Sequence, residues 1–184
     1  MDVQTAIRTR RDTEAFAPET PPREVIERLI EAATWAPNHR LTEPWHFAVL
    51  AGAGREAMAD AVQQWLESNS ATEGAVRSAR NKVLRAPVIL IVTQVKRPED
   101  PMRDLEDYAA CMCAIENLLL EAHAEGLAVH LSTDQTMHGD GPKAYLGLEP
   151  EDRIVAYLNI GYPRADGEAK QGKRQAPVVR WDWS

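Results

Sequence analysis

The stretch Ala36-Pro37-Asn38-His39-Arg40-Leu41-Thr42-Glu43-Pro44-Trp45-His46-Phe47 joins the end of one helix to the start of one strand. Pro37 disfavours helical geometry at the residue before it, so the preceding helix ends by Ala36. Between Pro37 and Pro44 runs a stiff polar loop, which passes directly into the aromatic and β-branched run Pro44 to Leu50, stopped by Gly52 and Gly54. A loop of this kind can hold backbone amides against a planar ligand. It can equally be a plain helix-to-strand connection, and this segment alone does not choose between the two.

Working outward, Val3 to Arg11 reads as a short helix, and Thr20-Pro21-Pro22-Arg23-Glu24 is the start signal of a second, with Val25, Ile26, Leu29, Ile30 and Ala33 on one face. Downstream come helices from Arg55 to Glu67 and from Ala75 to Val83. Val88 to Val95 is β-branched and apolar on both faces, the pattern of a central strand. After a charged loop punctuated by proline, Leu105 to Glu125 forms a long, largely apolar helix ended by Gly126. Leu127 to Leu131 is a short strand, Gly141 to Leu148 a turn and short helix, and Arg153 to Gly161 a further strand. The polar tail closes on Val178-Val179-Arg180-Trp181-Asp182-Trp183, whose tryptophans are expected to pack on the body or on a second subunit.

The 184 residues compare with roughly 150 per domain, which predicts a single domain over 1–184. The 21 Lys and Arg against 28 Asp and Glu give a net charge of −7, which disfavours a nucleic-acid binder. The apolar run Pro87 to Val92 is far too short to span a membrane. Met1 to Thr5 lacks the basic start and apolar core of a secretory signal. Cys111 and Cys113 would point about 200° apart on a helix, which disfavours a mutual disulfide; packed core thiols in a reduced, cytoplasmic protein are expected.

Phosphate loops of the Walker or dinucleotide type are absent, as is the nucleophile elbow, and the histidines at 39, 46, 123, 130 and 138 form no zinc motif. The positive charge is nonetheless clustered: Arg8, Arg10 and Arg11 near the start, Lys170, Lys173 and Arg174 near the end. Guanidinium groups bind phosphate in bidentate fashion, so these clusters suit an anionic ligand; a solvated charged helix end is the plainer alternative.

Taken together, the segments Arg10-Arg11-Asp12-Thr13-Glu14-Ala15-Phe16, Ala36 to Phe47, Asn117-Leu118-Leu119-Leu120 running to Gly126-Leu127, and Ile160-Gly161-Tyr162-Pro163 followed by Lys173 and Arg174 resemble, in order, the nitroreductase family of FMN flavoproteins, in particular its short single-domain members. The resemblance implies an α+β fold: a central, mostly antiparallel sheet wrapped by helices, in a homodimer with FMN at the interface. It implies that Arg10, Arg11 and Asp12 hold the phosphate or ribityl end, that Lys173 and Arg174 complete that site, and that Leu131, Ser132 and Thr133 line the isoalloxazine through backbone amides. His39 would reach a flavin bound mainly to the other subunit, with Trp35 nearby. Glu121, Ala122, His123, Ala124, Glu125 and Gly126 mark where some short members are thought to meet NADH or NADPH.

Three departures from the family pattern stand out. Asp12 replaces a phosphate-side serine, and a carboxylate is tolerated there only when the arginines screen it or when it turns toward backbone amides. Glu14 and Ala15 occupy the stretch where a Lys or Arg approaches the flavin pyrimidine edge, and Leu41 stands where larger relatives have asparagine. The implied activity is hydride passage from NAD(P)H through flavin to a small electron-poor acceptor such as a nitroaromatic or quinone, with no side-chain nucleophile needed. The competing readings are a non-catalytic flavin-binding or structural dimer, motivated by Asp12 and Glu14, and a metal-dependent hydrolase built on the histidines.

Overall fold

The computed structural model describes residues 1–134, 138–166 and 174–183. In chain order the elements are α1 (Val3–Thr9), α2 (Arg23–Thr34), β1 (Trp45–Ala51), α3 (Ala53–Ser68), α4 (Glu73–Val83), β2 (Val88–Gln94), α5 (Pro101–Ala124), β3 (Ala128–Ser132), α6 (Asp140–Tyr145) and β4 (Arg153–Gly161), with one 3-10 turn at His39–Leu41. The four strands form one antiparallel sheet in the order β1-β2-β4-β3. This is the α+β architecture expected, with β2 interior and buried along its whole length.

Because successive strand side chains point to opposite faces, the apolar run of β2 serves two cores at once. Leu90 and Val92 join Leu29 of α2 and Ala114 and Leu118 of α5 on one face. Ile89 and Ile91 join Met58 and Val62 of α3 and Ala79 of α4 on the other. The pairing of β2 with β4 slips between Val92 and Thr93, where Val92 faces Ala156 and Thr93 faces Ile154. The extra residue, Val155, lets Ile154 turn to the α3/α4 core while Val155 and Ala156 both serve the α2/α5 core, the effect of a β-bulge.

Helix α5 begins at Pro101, earlier than the periodicity alone placed it. Asp100 caps it by accepting a hydrogen bond from the Arg103 amide, and Pro101 occupies the first turn, where its missing N–H is no loss. Its buried residues, among them Asp107, Ala110, Cys111, Ala114, Leu118 and Ala122, trace one helical stripe. Gly126, at φ +76°, turns the chain into β3. Cys111 lies in this stripe and Cys113 on the exposed side, so only one of the two thiols is packed in the core. Among the described residues no helix is long and apolar enough to cross a membrane.

The tail differs from the first of its two expected positions. Within the single chain, Trp181 and Trp183 stack on each other, with centroids 5.4 Å apart, but remain 72% and 86% exposed, so they find no seat on the body.

Candidate functional site

The segment after α1 is stitched to the sheet by Asp12. Asp12 forms a parallel bridge to Val129 of β3. Its Oδ1 accepts from the Leu131 amide at 3.2 Å, and its Oδ2 lies 2.9 Å from Nδ1 of His130. An ionised carboxylate only accepts, so Nδ1 is the donor. The carboxylate has therefore turned toward a backbone amide, one of the two conditions under which it is compatible with a nearby phosphate. The same contact commits the Leu131 amide.

The two arginines of this segment are used differently. Arg11 Nη1 donates to the carbonyls of Arg8 and Arg10 at 2.7 and 2.8 Å, capping the end of α1. Arg10 Nε sits 3.9 Å from Glu116, a loose ion pair that leaves donors free. His123 reaches Thr9 Oγ1 at 2.7 Å; that hydroxyl's single proton goes to the Thr5 carbonyl at 2.6 Å, so Nε2 of His123 is the donor. Burial first, then the charges of Arg10 and Arg11, hold the His123 pKa below its ordinary value.

Beside β3, on the α4 side of the sheet, lies a cavity of about 230 Å³ whose lining includes Lys82, Arg85, His130, Ser132, Asp134 and Asn159. Lys82 pairs with Asp134, and Arg85 Nη1 lies 2.9 Å from Glu14 Oε2. Cations from α4 and the turn after it thus come to this side of β3, each paired with a carboxylate. Asn159 is 2% exposed and its Oδ1 has no hydrogen-bond partner. No sequence motif singled out Lys82, Arg85 or Asn159; the only signal was the basic last turn of α4.

The loop after α2 is held elsewhere. His39 Nδ1 lies 2.8 Å from Glu106, and the Thr42 hydroxyl donates to Asp107 at 2.8 Å. Asp107, 2% exposed, is held in turn by Arg97 Nε at 3.0 Å. Asn38 Oδ1 accepts from the Glu43 amide at 3.0 Å. These grips secure an unusual backbone: Arg40, Leu41 and Glu43 all adopt left-handed φ values of 59°, 52° and 44°. Each such residue is strained by about 1–2 kcal/mol, which the contacts to α5 must offset. Leu41 and Trp35 project into solvent, 82% and 80% exposed.

The remaining predicted residues are dispersed. Ser132 Oγ accepts from the Asp134 amide at 3.3 Å, while Thr133 lines a separate cavity with Tyr108, His138 and Arg153. Of the candidate nucleotide residues, Glu125 is bound by Arg28 at 2.7 and 3.0 Å, Ala122 is buried, and Glu121 and Ala124 line a cavity with Trp35 and Val3. Lys173 lies outside the described residues, and Arg174 is exposed.

Among the described residues, His130 is the one histidine that joins carboxylates in a cluster close enough to share an ion: one ligand atom each from Asp12, Glu14 and His130 lies within 4.8 Å of the others. Since His130 donates to Asp12 and Arg85 sits on Glu14, the cluster is an internally paired ion network rather than a preformed cation cage. Burial, aided by Asp107, pushes the Cys111 thiol up to about 12, which removes it as a nucleophile.

The fold is an antiparallel sheet with helices on both faces, and beside β3 it carries a polar cavity lined by cations and carboxylates together. The profile of the family described as Nitroreductase family matches residues 7–162, and the chain belongs to that family. It is 29% identical over 175 residues to YfhC of Bacillus subtilis, named for NAD(P)H nitroreductase activity, covering 94% of this chain and 88% of that one. It is 26% identical to the similarly named YdjA of Escherichia coli, covering 89% and 90%. Among solved structures, a nitroreductase-like family protein from Bacillus cereus superposes with a TM-score of 0.81 at 30% identity, covering 96% and 92%. A nitroreductase from Bacteroides fragilis with bound FMN superposes with a TM-score of 0.78 at 21% identity, covering 98% of each chain, a likeness of fold.

Proposed function

We propose that the chain is an FMN-dependent NAD(P)H oxidoreductase, one nitroreductase-like unit over residues 1–184 acting in the cytoplasm. The observation that carries this reading is the cavity beside β3. Its Ser132 belongs to the predicted flavin strand, its Lys82 and Arg85, though paired with Asp134 and Glu14, carry further N–H donors at its wall, and its buried Asn159 oxygen lacks a donor. The residues present fit the group. FMN, when bound, supplies the hydride relay between nicotinamide nucleotide and acceptor. The chain's part is to anchor and orient: Arg10, with Lys173 and Arg174, takes the phosphate; Arg11 and Asp12 hold the anchoring segment in place; Ser132 and Thr133 border the ring. The stretch Glu121 to Gly126 is the proposed approach of NADH or NADPH, and a nitroaromatic or quinone is the acceptor class.

The working form is a homodimer with FMN at the interface. The strand register supports this. Asp12 sits against Val129, which is level with Ile160 and Val88 at one end of β2, whereas Trp45 is level with Gln94 at the other. β1 and β3 are also opposite edges of the sheet, so the loop and the Asp12 segment lie roughly 20 Å apart along the strands and about 14 Å across them. A loop serving a flavin held by a partner reconciles the two. Exposed Trp35, Leu41, Trp181 and Trp183 supply apolar surface for such an assembly, and the apolar groove between α2 and the open edge of β1, lined by Ile26, Ile30 and Val49, is a matching seat for a partner's tail.

Purification of untagged protein tests the reading: bound or titratable flavin absorbance, bleached anaerobically by NADH or NADPH, is expected. A colourless protein that takes up no FMN overturns it. Bound flavin that neither nucleotide bleaches leaves the non-catalytic dimer in its place.

A further inference from the structure

Asn159 stands on β4 opposite His130 of β3 and Ile89 of β2, on the sheet face turned toward α4. Its side chain lines the cavity yet is almost wholly buried, and its Oδ1 has no hydrogen-bond partner. The contrast with the rest of the lining is sharp. Lys82 is paired with Asp134, Arg85 with Glu14, and His130 with Asp12. Each of these charged groups is answered by the chain itself, whereas the amide oxygen is left for something else to answer. An orphaned buried acceptor is destabilising by roughly 1–3 kcal/mol, so folds retain one where a ligand satisfies it. The cavity, at about 230 Å³, has room for a group larger than a single water molecule.

Resting on the FMN reading above, we propose that Asn159 is a specificity-determining contact to the cofactor, its Oδ1 accepting a hydrogen bond from an N–H or O–H of FMN that enters this cavity. FMN offers two such donors, the ring N3–H and the ribityl hydroxyls. A buried amide that demands a donor selects for ligands carrying one there, and rejects an analogue lacking it because the acceptor is then left unpaired.

The test titrates wild-type apoprotein and Asn159→Leu with FMN and with N3-methyl-FMN, following flavin fluorescence, and records the melting temperature of each apoprotein. Leucine has the same branched outline and number of heavy atoms and no acceptor, so the variant is expected to bind FMN about tenfold more weakly. Its apoprotein is expected to melt no lower than wild type, because an unsatisfied buried group has been removed. If N3–H is the donor, wild type discriminates against N3-methyl-FMN and Asn159→Leu does not; if a ribityl hydroxyl is the donor, the variant loses affinity for both flavins alike. Should Asn159→Leu not fold, Asn159→Ala takes its place in the titration. Unchanged FMN affinity in the variant overturns the assignment and leaves the oxygen to solvent. Failure of the wild type to bind any flavin instead overturns the cofactor reading, and the assignment with it.

Discussion

The segment after α1 and the loop after α2 are both dense in charge, but they are anchored in different ways. Arg10 to Asp12 is sewn into the sheet: Asp12 binds both the backbone and a side chain of β3, and Arg11 closes the end of α1. Of its charged groups only Arg10 keeps much of its donor capacity free. The loop from Asn38 to Glu43 touches its neighbours almost wholly through side chains reaching to α5, while its backbone is strained and its tip, Leu41, faces solvent. The first arrangement makes a rigid floor on which one free cation can be aimed. The second makes a presented tip, whose shape depends on two acidic residues of another element. Charged residues within one motif therefore divide into those that build the site and those left for a ligand.

Substitutions can break this contrast. The largest effect is expected for Asp12→Ala, which strands the Leu131 amide and His130: about 2–3 kcal/mol of folding stability, read from urea denaturation, together with a loss of FMN affinity. A variant as stable as wild type would mean that the segment is not sewn to β3. Arg10→Ala is expected to leave stability nearly intact and to weaken FMN about ten- to a hundredfold, the worth of a charge-assisted phosphate contact of roughly 1.5–3 kcal/mol. Arg11→Ala is expected to show the reverse balance, and equal effects from the two arginines would erase the distinction drawn between them.

In the loop, Thr42→Val removes the hydroxyl held by Asp107. Amide exchange at residues 39–43 is expected to quicken about tenfold with little change in global melting, whereas Thr42→Ser retains the bond and wild-type protection. Removal of residues 176–183 is expected to shift the sedimenting species from twice the 20.5 kDa chain mass toward a monomer. A truncated chain that stays dimeric would assign the interface to the helices alone.

The smallest effect concerns pH. Burial and the charges of Arg10 and Arg11 hold the folded pKa of His123 below the ordinary value of an imidazole, so the fold prefers the neutral ring. Its contribution is fully present above that value and is lost as pH falls, because the unfolded chain then binds the proton more readily. His123→Gln is expected to flatten the fall in urea midpoint between about pH 7 and pH 5. An identical slope in both proteins would show that burial and the two arginines do not act on this ring.

Much of the fold was legible because the signals were local. The two-faced apolar run of β2, the proline stops around β1 and the glycine after α5 each act within a few residues, and the strands appear where these place them. The start of α5 lies ahead of its apolar periodicity, because Pro101, with Asp100 before it, serves as a first-turn proline rather than as loop punctuation. Within the proposed site, Arg10, Asp12 and Ser132 stand at motif positions that the sequence singles out. Lys82, Arg85 and Asn159 do not, since they come to β3 from α4, the turn after it and β4, and no spacing along the chain announces such a meeting.

By itself the sequence determined the alternation of helices and strands, the interior place of β2, the family, and the charge pattern that speaks for an anionic ligand and against nucleic acid. These follow from periodicity, turn chemistry and composition, which are properties of neighbouring residues. Only the tertiary structure decided which charges are used up and which remain. Pairing Asp12 with His130, Glu14 with Arg85 and Thr42 with Asp107 joins residues far apart in the chain, and it leaves the Asn159 oxygen unanswered. The worth of a charge or a hydrogen-bonding group depends on its partners and its burial, and both are set by the packing of elements distant in sequence.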